Sequence, residues 1–368
     1  IMSSKPSTPT RDWPTRLLWI PAVLLVARIL WLAWAEMDLA WDAMAYHVQF
    51  SAMRAGVVTA EDYRFSRWIN TLYSSFPVFA DYVRGYLWKL TGHAPATNLL
   101  SMAGLLTLVA ALRRIFRVPP PYPVLALLSS PVILIHARGS YVDVFGNSME
   151  TVVLMVLFLA LIGPERVRMW HLVAALAAAA IAMNTKYHFL GVAPLALLCL
   201  AGTLWIHRRR LQQLAPVLSR RAGKAGLITA VALFLVLSLA RYGQNWMRFG
   251  NPIYPMAVQA GPLRFPGMAP IVSVDPHYLA DAPQPVRWLL SVAEYRAFEG
   301  RAPLWTADQG LVPGTSMASR MGGYFSTWVC LNGMWFAFLQ WKLRKRLGLA
   351  PLAFLAAVTV VTALQPIS

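Results

Sequence analysis

Nine apolar runs divide this chain, and nothing else in the sequence restricts its fold as strongly. They are Leu17–Trp34, Thr97–Leu112, Tyr122–His136, Met149–Ile162, His171–Met183, Phe189–Ile206, Leu227–Leu239, Tyr324–Gln340 and Leu349–Leu364. Backbone placed in lipid must satisfy its own hydrogen bonds, so runs of this kind become helices. Several are shorter than the roughly 20 residues a helix needs to cross, and their ends must extend into the flanks. The expectation is an all-α polytopic membrane protein with about nine spans and a single transmembrane domain over residues 1–368. The polar N-terminal stretch leads into a Trp-rich first run without a small-residue cleavage site, which reads as an uncleaved span rather than a signal peptide.

The linkers give the orientation. Arg113, Arg114 and Arg117 fill one, and Arg166 and Arg168 the next. Arg208–Arg210 with Arg220, Arg221 and Lys224 fill a third, and Lys342, Arg344, Lys345 and Arg346 a fourth. These alternate so as to share one side with the basic N-terminus, and the positive-inside rule makes that side cytoplasmic. Of the 15 acidic residues only Asp12 and Glu165 fall there. The net charge of +18 is thus a topology signal with an attraction to anionic lipid, and it does not indicate nucleic acid. Charged residues are only 13% of the chain, about half the share of a soluble domain. Cys199 and Cys330 lie in apolar runs, indicate no disulfide or zinc framework, and are expected to be buried in spans.

Two outer segments are too long to be mere connections. In residues 35–96, Phe79, Tyr82, Val83, Tyr86, Leu87 and Leu90 share one helical face while Asp81, Arg84 and Lys89 lie elsewhere. That pattern predicts a helix lying in the interface plane. Residues 241–320 are rich in Pro and Gly, which predicts irregular backbone, a short helix at Pro285–Phe298 and mobility near Pro262–Ser273.

Ionisable residues at a membrane edge are functional candidates because each is unfavourable there unless paired or hydrated. Asp42, in Trp41-Asp42-Ala43-Met44-Ala45-Tyr46-His47, follows the first run and reads as a base or as a helix N-cap, with Asp38 one turn earlier an equally plausible cap. Asp143 in Tyr141-Val142-Asp143 sits on the same side, again as acid, base or cap. Two carboxylates at one face suit shared acid–base work or a divalent cation such as Mg or Mn held by Asp42 and Asp143. Lys186, in the turn Asn184-Thr185-Lys186-Tyr187-His188, suits a phosphate at headgroup depth or simply snorkels. Arg241, Asn245 and Arg248 share a helical face and suit a phosphate clamp or interfacial anchoring. Tyr46, His47, Tyr141 and Tyr187 flank these groups and complete the candidate substrate-binding set, although a lone outer histidine such as His47 or His93 is more often a surface residue. Arg28 and Glu150 are charges inside spans, for which internal partners are expected.

These motifs occur in a fixed order: Trp41-Asp42 to His47, Tyr141-Val142-Asp143, Asn184-Thr185-Lys186-Tyr187, Asn245 through Gly250-Asn251-Pro252-Ile253-Tyr254-Pro255, and Gly322-Gly323-Tyr324-Phe325. In that order and on one membrane face they resemble the GT-C superfamily of polytopic glycosyltransferases. The nearest likeness is to bacterial relatives of protein O-mannosyltransferases and aminoarabinose transferases. The resemblance implies a polyprenyl-phosphate sugar donor, an acceptor bound by the outer loops, and a site facing the periplasm from the bacterial inner membrane. It also implies Asp42 as general base, Asp143 as a second acid or metal ligand, and Lys186 with Arg241 on the lipid phosphate. Family members run longer after the ninth span, so against that pattern the end at Ser368 reads as truncated or minimal. The in-line reaction would invert the anomeric centre. A transporter or flippase, and a non-catalytic subunit of an envelope-polysaccharide complex, are the rival readings. A transporter tends to hold its charges at the midplane and to show repeats, neither of which this sequence displays.

Overall fold

The computed structural model describes residues 13–39, 42–59, 61–211, 220–260, 263–270, 282–292 and 324–364. Five of its helices are long and apolar enough to cross a membrane: Thr15–Ala35, Ala94–Phe116, Asp143–Ile162, Phe189–Ile206 and Gly223–Phe249. Met169–Met183 and Ala350–Ala363 are apolar but shorter. The run Tyr122–His136 forms two helices, Pro121–Leu128 and Pro131–Ala137. Pro131 has no N–H to continue the first of them, and Ser130 before it is extended.

Helix α1 (Trp13–Ala35) touches the bundle along a narrow stripe of Ala22, Ile29 and Ala33 and leaves Trp19, Leu24 and Trp31 outward. An outward stripe of that kind suits lipid. Arg28 is exposed on this helix and meets no carboxylate among the described residues, contrary to the expectation of an internal partner. The carbonyls left open at the α1 C-terminus are taken from afar. Asn98 Nδ2 donates to Ala33 and Glu36 at 3.1 and 2.9 Å, and His93 Nε2 lies 2.6 Å from Trp34 O.

The first outer segment holds a π-helical turn at Ala43–His47, α2 (Val48–Ala55), α3 (Arg67–Ser75) and α4 (Phe79–Thr91). Helix α4 turns its charged face inward. Asp81, Arg84 and Gly85 are its buried face, and Tyr82, Tyr86 and Leu90 are exposed. Gly85 is where α4 crosses α2, with the Ser51 carbonyl occupying the space a Cβ would need.

The centre of the bundle is α8 (Asp143–Ile162), the most enclosed of the long helices. Helices α5 (Leu99–Phe116), α9 (Met169–Met183) and α10 (Phe189–Ile206) surround it. Lipid gives packed helices no hydrophobic drive toward one another, so close approach must come from small residues. Ala175, Ala178, Ala179 and Ala182 of α9 are buried in the core, and Gly146 of α8 leaves room for the Phe189 ring.

Helix α11 (Arg221–Phe249) runs on through Arg241, Asn245 and Arg248 before Gly250 ends it at φ 65°. A small three-stranded sheet follows instead of irregular backbone. Strand β1 (Met256–Ala260) pairs antiparallel with β2 (Leu263–Phe265) and parallel with β3 (Ala269–Pro270). Buried Asn251 ties it together, its Nδ2 donating to Met256 O and Pro266 O and its Oδ1 accepting from Ile253 N. Helix α12 spans Gln284–Val292, starting one residue before the expected Pro285–Phe298. Residues 261–262, 271–281 and 293–323 lie outside the described residues, and with them both ends of the expected mobile loop and the Gly322-Gly323 motif. Helices α13 (Tyr324–Leu347) and α14 (Ala350–Leu364) close the chain. Cys199 and Cys330, expected inside, are both exposed on helix surfaces.

Candidate functional site

The turn Gly139–Tyr141 before α8 is gripped from three directions. Asp38 Oδ2 accepts from Ser140 N at 2.6 Å and from Ser140 Oγ at 3.2 Å. Ser101 Oγ lies 3.0 Å from Gly139 O and 2.8 Å from Tyr141 O, and Arg84 Nη2 donates to Ser140 O. Asp38 is thereby a structural carboxylate that joins the first outer segment to the start of α8. Sequence reading treated it only as a possible cap.

Asp42 is different. Its backbone is right-handed helical and its side chain makes no capping bond, so the capping explanation has no support in the geometry. It opens the π-helical turn, a local widening that recurs at functional sites. The Tyr46 hydroxyl donates to its carboxylate, and its backbone N–H donates to the Tyr141 hydroxyl. Burial raises the Asp42 carboxyl above the ordinary range, with Lys186 and the Tyr46 bond opposing. Burial likewise raises both phenols, Tyr141 to about 12, with Asp42 adding to each shift. Both phenols are therefore donors at neutral pH.

Asp143 stands in the first turn of α8 with Lys186 Nζ 2.6 Å from its Oδ1. The lysine side chain is 44% exposed, so two of its three N–H donors can still reach a ligand. His47 is buried between Tyr46 and Tyr141, at ring distances of 4.3 and 6.3 Å. Burial, then Arg84 and Lys186, hold it well below the ordinary imidazole value. Burial and Lys186 bring His188 down to about 4. Both imidazoles are neutral at pH 7.

A second set of candidates comes together for another purpose. The Tyr187 hydroxyl lies 2.7 Å from Ser75 O and 2.6 Å from Tyr254 O. Asn245 Nδ2 reaches Ser75 O and Pro252 O at 2.9 and 3.2 Å. Arg241 donates to Phe76 O and Tyr73 O at 3.0 and 3.1 Å. These polar groups hold the end of α3 against α11. The predicted face of Arg241, Asn245 and Arg248 does not form a clamp, because Asn245 is buried, Arg241 faces carbonyls and Arg248 points to the surface.

Three charges escaped sequence reading as site-builders. Arg54 Nε donates to Asp81 Oδ2 at 3.2 Å and its Nη2 to Tyr73 O at 2.7 Å, while Arg84 Nη1 is 3.8 Å from Asp81 Oδ1. All three side chains are buried. The i,i+3 spacing of Asp81 and Arg84 was the one available signal. Glu150 lies two turns beyond Asp143 on α8, with one buried oxygen that has no partner among the described residues.

No group of three His, Cys, Asp or Glu assembles among the described residues, and Asp143, one of the two carboxylates expected for a divalent cation, has the Lys186 ammonium beside it. Beside the cluster an apolar groove of about 850 Å³ runs between α4, α9 and α11. Phe79, Tyr86, Ile181 and Val236 contribute its walls, and Arg54 and Arg241 are its cations. Asn184, also in its lining, is two residues from Lys186. Comparison of the chain with protein-family models, curated proteins and solved structures finds no match.

Proposed function

We propose that this chain is a membrane glycosyltransferase that moves a sugar from a polyprenyl-phosphate donor to a hydroxyl acceptor, at the periplasmic face of the bacterial inner membrane. The observation that carries the reading is Asp42: a carboxylate free of capping duty, raised by burial, beside a phenol donor and the Lys186–Asp143 pair. A raised carboxylate is a stronger base than an ordinary one, closer to the value that suits proton transfer near neutral pH. Asp42 takes the proton of the acceptor hydroxyl as its oxygen bonds to the anomeric carbon. The bond from that carbon to the phosphate oxygen breaks in line, inverting the centre, and its electron pair leaves with the lipid phosphate. The spare N–H donors of Lys186 meet the charge that gathers there. The groove between α4, α9 and α11 accommodates the apolar chain of the donor. No nucleotide is required.

The test is release of lipid phosphate from a panel of short-chain polyprenyl-phosphate sugars, with purified protein and envelope extract as acceptor source. Wild type should release it and Asp42→Asn should not. Equal release, or none by wild type across the panel, sinks the reading. Glu150 favours a second one, a proton-coupled transporter, since it places a buried carboxylate on α8 two turns from Asp143. Proton-driven uptake into proteoliposomes that Glu150→Gln abolishes would choose it.

A further inference from the structure

Helix α8 carries the chain about 30 Å away from the Asp42 cluster, by its 20 residues. At that far end lies a cavity of about 510 Å³ formed by the end of α5, the end of α8 and the start of α9. Arg114, Arg117, Arg166 and Arg168 line it, with Phe116 and Leu159 as apolar wall, and no Asp or Glu is in the lining. Glu165 lies 3.8 Å from Arg166 Nε, both side chains being largely exposed.

Arginines on this side are expected for topology, but that requirement is met anywhere along the linkers and does not gather them. Four exposed guanidinium groups gathered around one cavity concentrate positive potential there, which favours entry of an anion. Arg117 adds a second observation. It is the one described non-glycine residue with positive φ, at 60°, and it ends α5 in the left-handed conformation that glycine normally supplies. The chain keeps a guanidinium there against backbone preference. The first turn of α9, with Trp170, also faces the cavity and brings the positive end of a helix to it.

We propose that this arginine basin is a binding site for a phosphate-bearing anion, separate from the Asp42 cluster. Planar guanidinium groups pair two-pronged with phosphate oxygens. The ligand chemistry is shared by an anionic phospholipid headgroup, whose chains would follow Phe116 and Leu159, and by a soluble phosphate compound.

The test uses the full chain in two arms. In one, native mass spectrometry counts phosphatidylglycerol retained from mixed phosphatidylglycerol and phosphatidylcholine micelles. In the other, inorganic pyrophosphate is titrated in zwitterionic micelles and read as a shift in melting temperature. Arg117→Gly fits the φ of 60° and should keep or raise the melting temperature without ligand. It should weaken saturable binding roughly tenfold, as loss of one charge-assisted hydrogen bond predicts. Arg114→Gln should do the same from the exposed side of α5. The double variant Arg208→Gln, Arg209→Gln removes two charges from the same end of the bundle but outside the basin, and should change binding less than twofold. Saturable binding that the basin variants weaken in the lipid arm identifies a headgroup, and in the pyrophosphate arm a soluble anion; either supports the site. No saturable binding in either arm overturns it. So does an equal loss in the control, which would mean diffuse attraction.

Discussion

Replacing Asp42 by Asn should separate catalysis from stability, because the two move in opposite directions. Asn keeps the shape of the side chain and can still accept the Tyr46 hydroxyl, and no capping bond is lost because none is made. What disappears is a negative charge and a proton acceptor. General-base catalysis contributes about 10²–10⁴-fold, or about 2.7–5.4 kcal/mol of barrier, so transfer should fall by that factor with donor binding near wild type. Stability follows from the sign of the shift. Burial raises the Asp42 carboxyl above its ordinary 3.8 in the folded protein. Its favourable contribution is therefore complete below the ordinary value and is lost as pH rises through the folded one. At neutral pH the ionised group weighs against the native state. Asp42→Asn should melt at or above the wild-type temperature at pH 7–8, and that advantage should disappear as pH approaches about 4. The wild-type rate should rise with pH on an acid limb lying above the ordinary carboxylate range. Thermal scans in detergent beside donor-turnover profiles measure both. A variant that is inactive and also clearly less stable at neutral pH would refute the argument, since Asp42 would then be a structural group.

Four other substitutions test the surroundings of Asp42. Asp81→Ala leaves Arg54 and Arg84 buried without their carboxylate and should cost about 3–5 kcal/mol in denaturant unfolding; a loss below about 1 would mean the charges relax to water. Gly85→Ala places a methyl group on the Ser51 carbonyl and should cost about 1–3 kcal/mol by parting α2 from α4, with unchanged stability as the refuting result. Arg241→Ala should lower stability by about 1–3 kcal/mol by leaving the Phe76 carbonyl without its donor, while Tyr73 O keeps its bond from Arg54. Lys186→Ala should instead leave melting nearly unchanged and weaken donor binding, and the opposite pattern would exchange their roles.

The spans were legible where apolar length alone decides, as in α1, α5 and α10. Their ends were less so. Helix α8 starts six residues before its apolar run because polar side chains inside it bond to their own helix: Asn147 Nδ2 to Asp143 O and Ser148 Oγ to Val144 O. Bonds of that kind let a helix carry polar residues that hydropathy reads as linker. Asp42, Asp143 and Lys186 could be brought to one face from topology alone, since each follows or precedes a span on the same side. The duties of Tyr187 and Asn245 could not, because their carbonyl partner at Ser75 lies 112 and 170 residues away. No local pattern reports a contact of that range.

Helix α4 shows why its sequence pattern left the orientation open. An amphipathic pattern states which face is apolar, but the medium determines which face turns outward. In water the stripe of Tyr82, Tyr86 and Leu90 would be buried; against lipid it is the charged face that must find shelter. Arg84 and Asp81 find it inside the protein, with Arg54 completing the group. The consequence reaches the candidate site. Arg84 holds Ser140 O, the turn that sets Tyr141 and Asp143 beside Asp42, while Arg54 holds Tyr73 O at the end of α3. Charges that take no part in the proposed reaction thus place the segments on which it depends. On the proposed reading the apolar stripe of α4 faces lipid and the donor chain, and the burial of these charges depends on that cover. In a short-chain detergent that covers this stripe poorly, the turn at Ser140 should loosen before the core around α8, and hydrogen exchange at Ser140 N should rise first. Exchange that rises together in both places would mean that α4 and the core unfold as one unit.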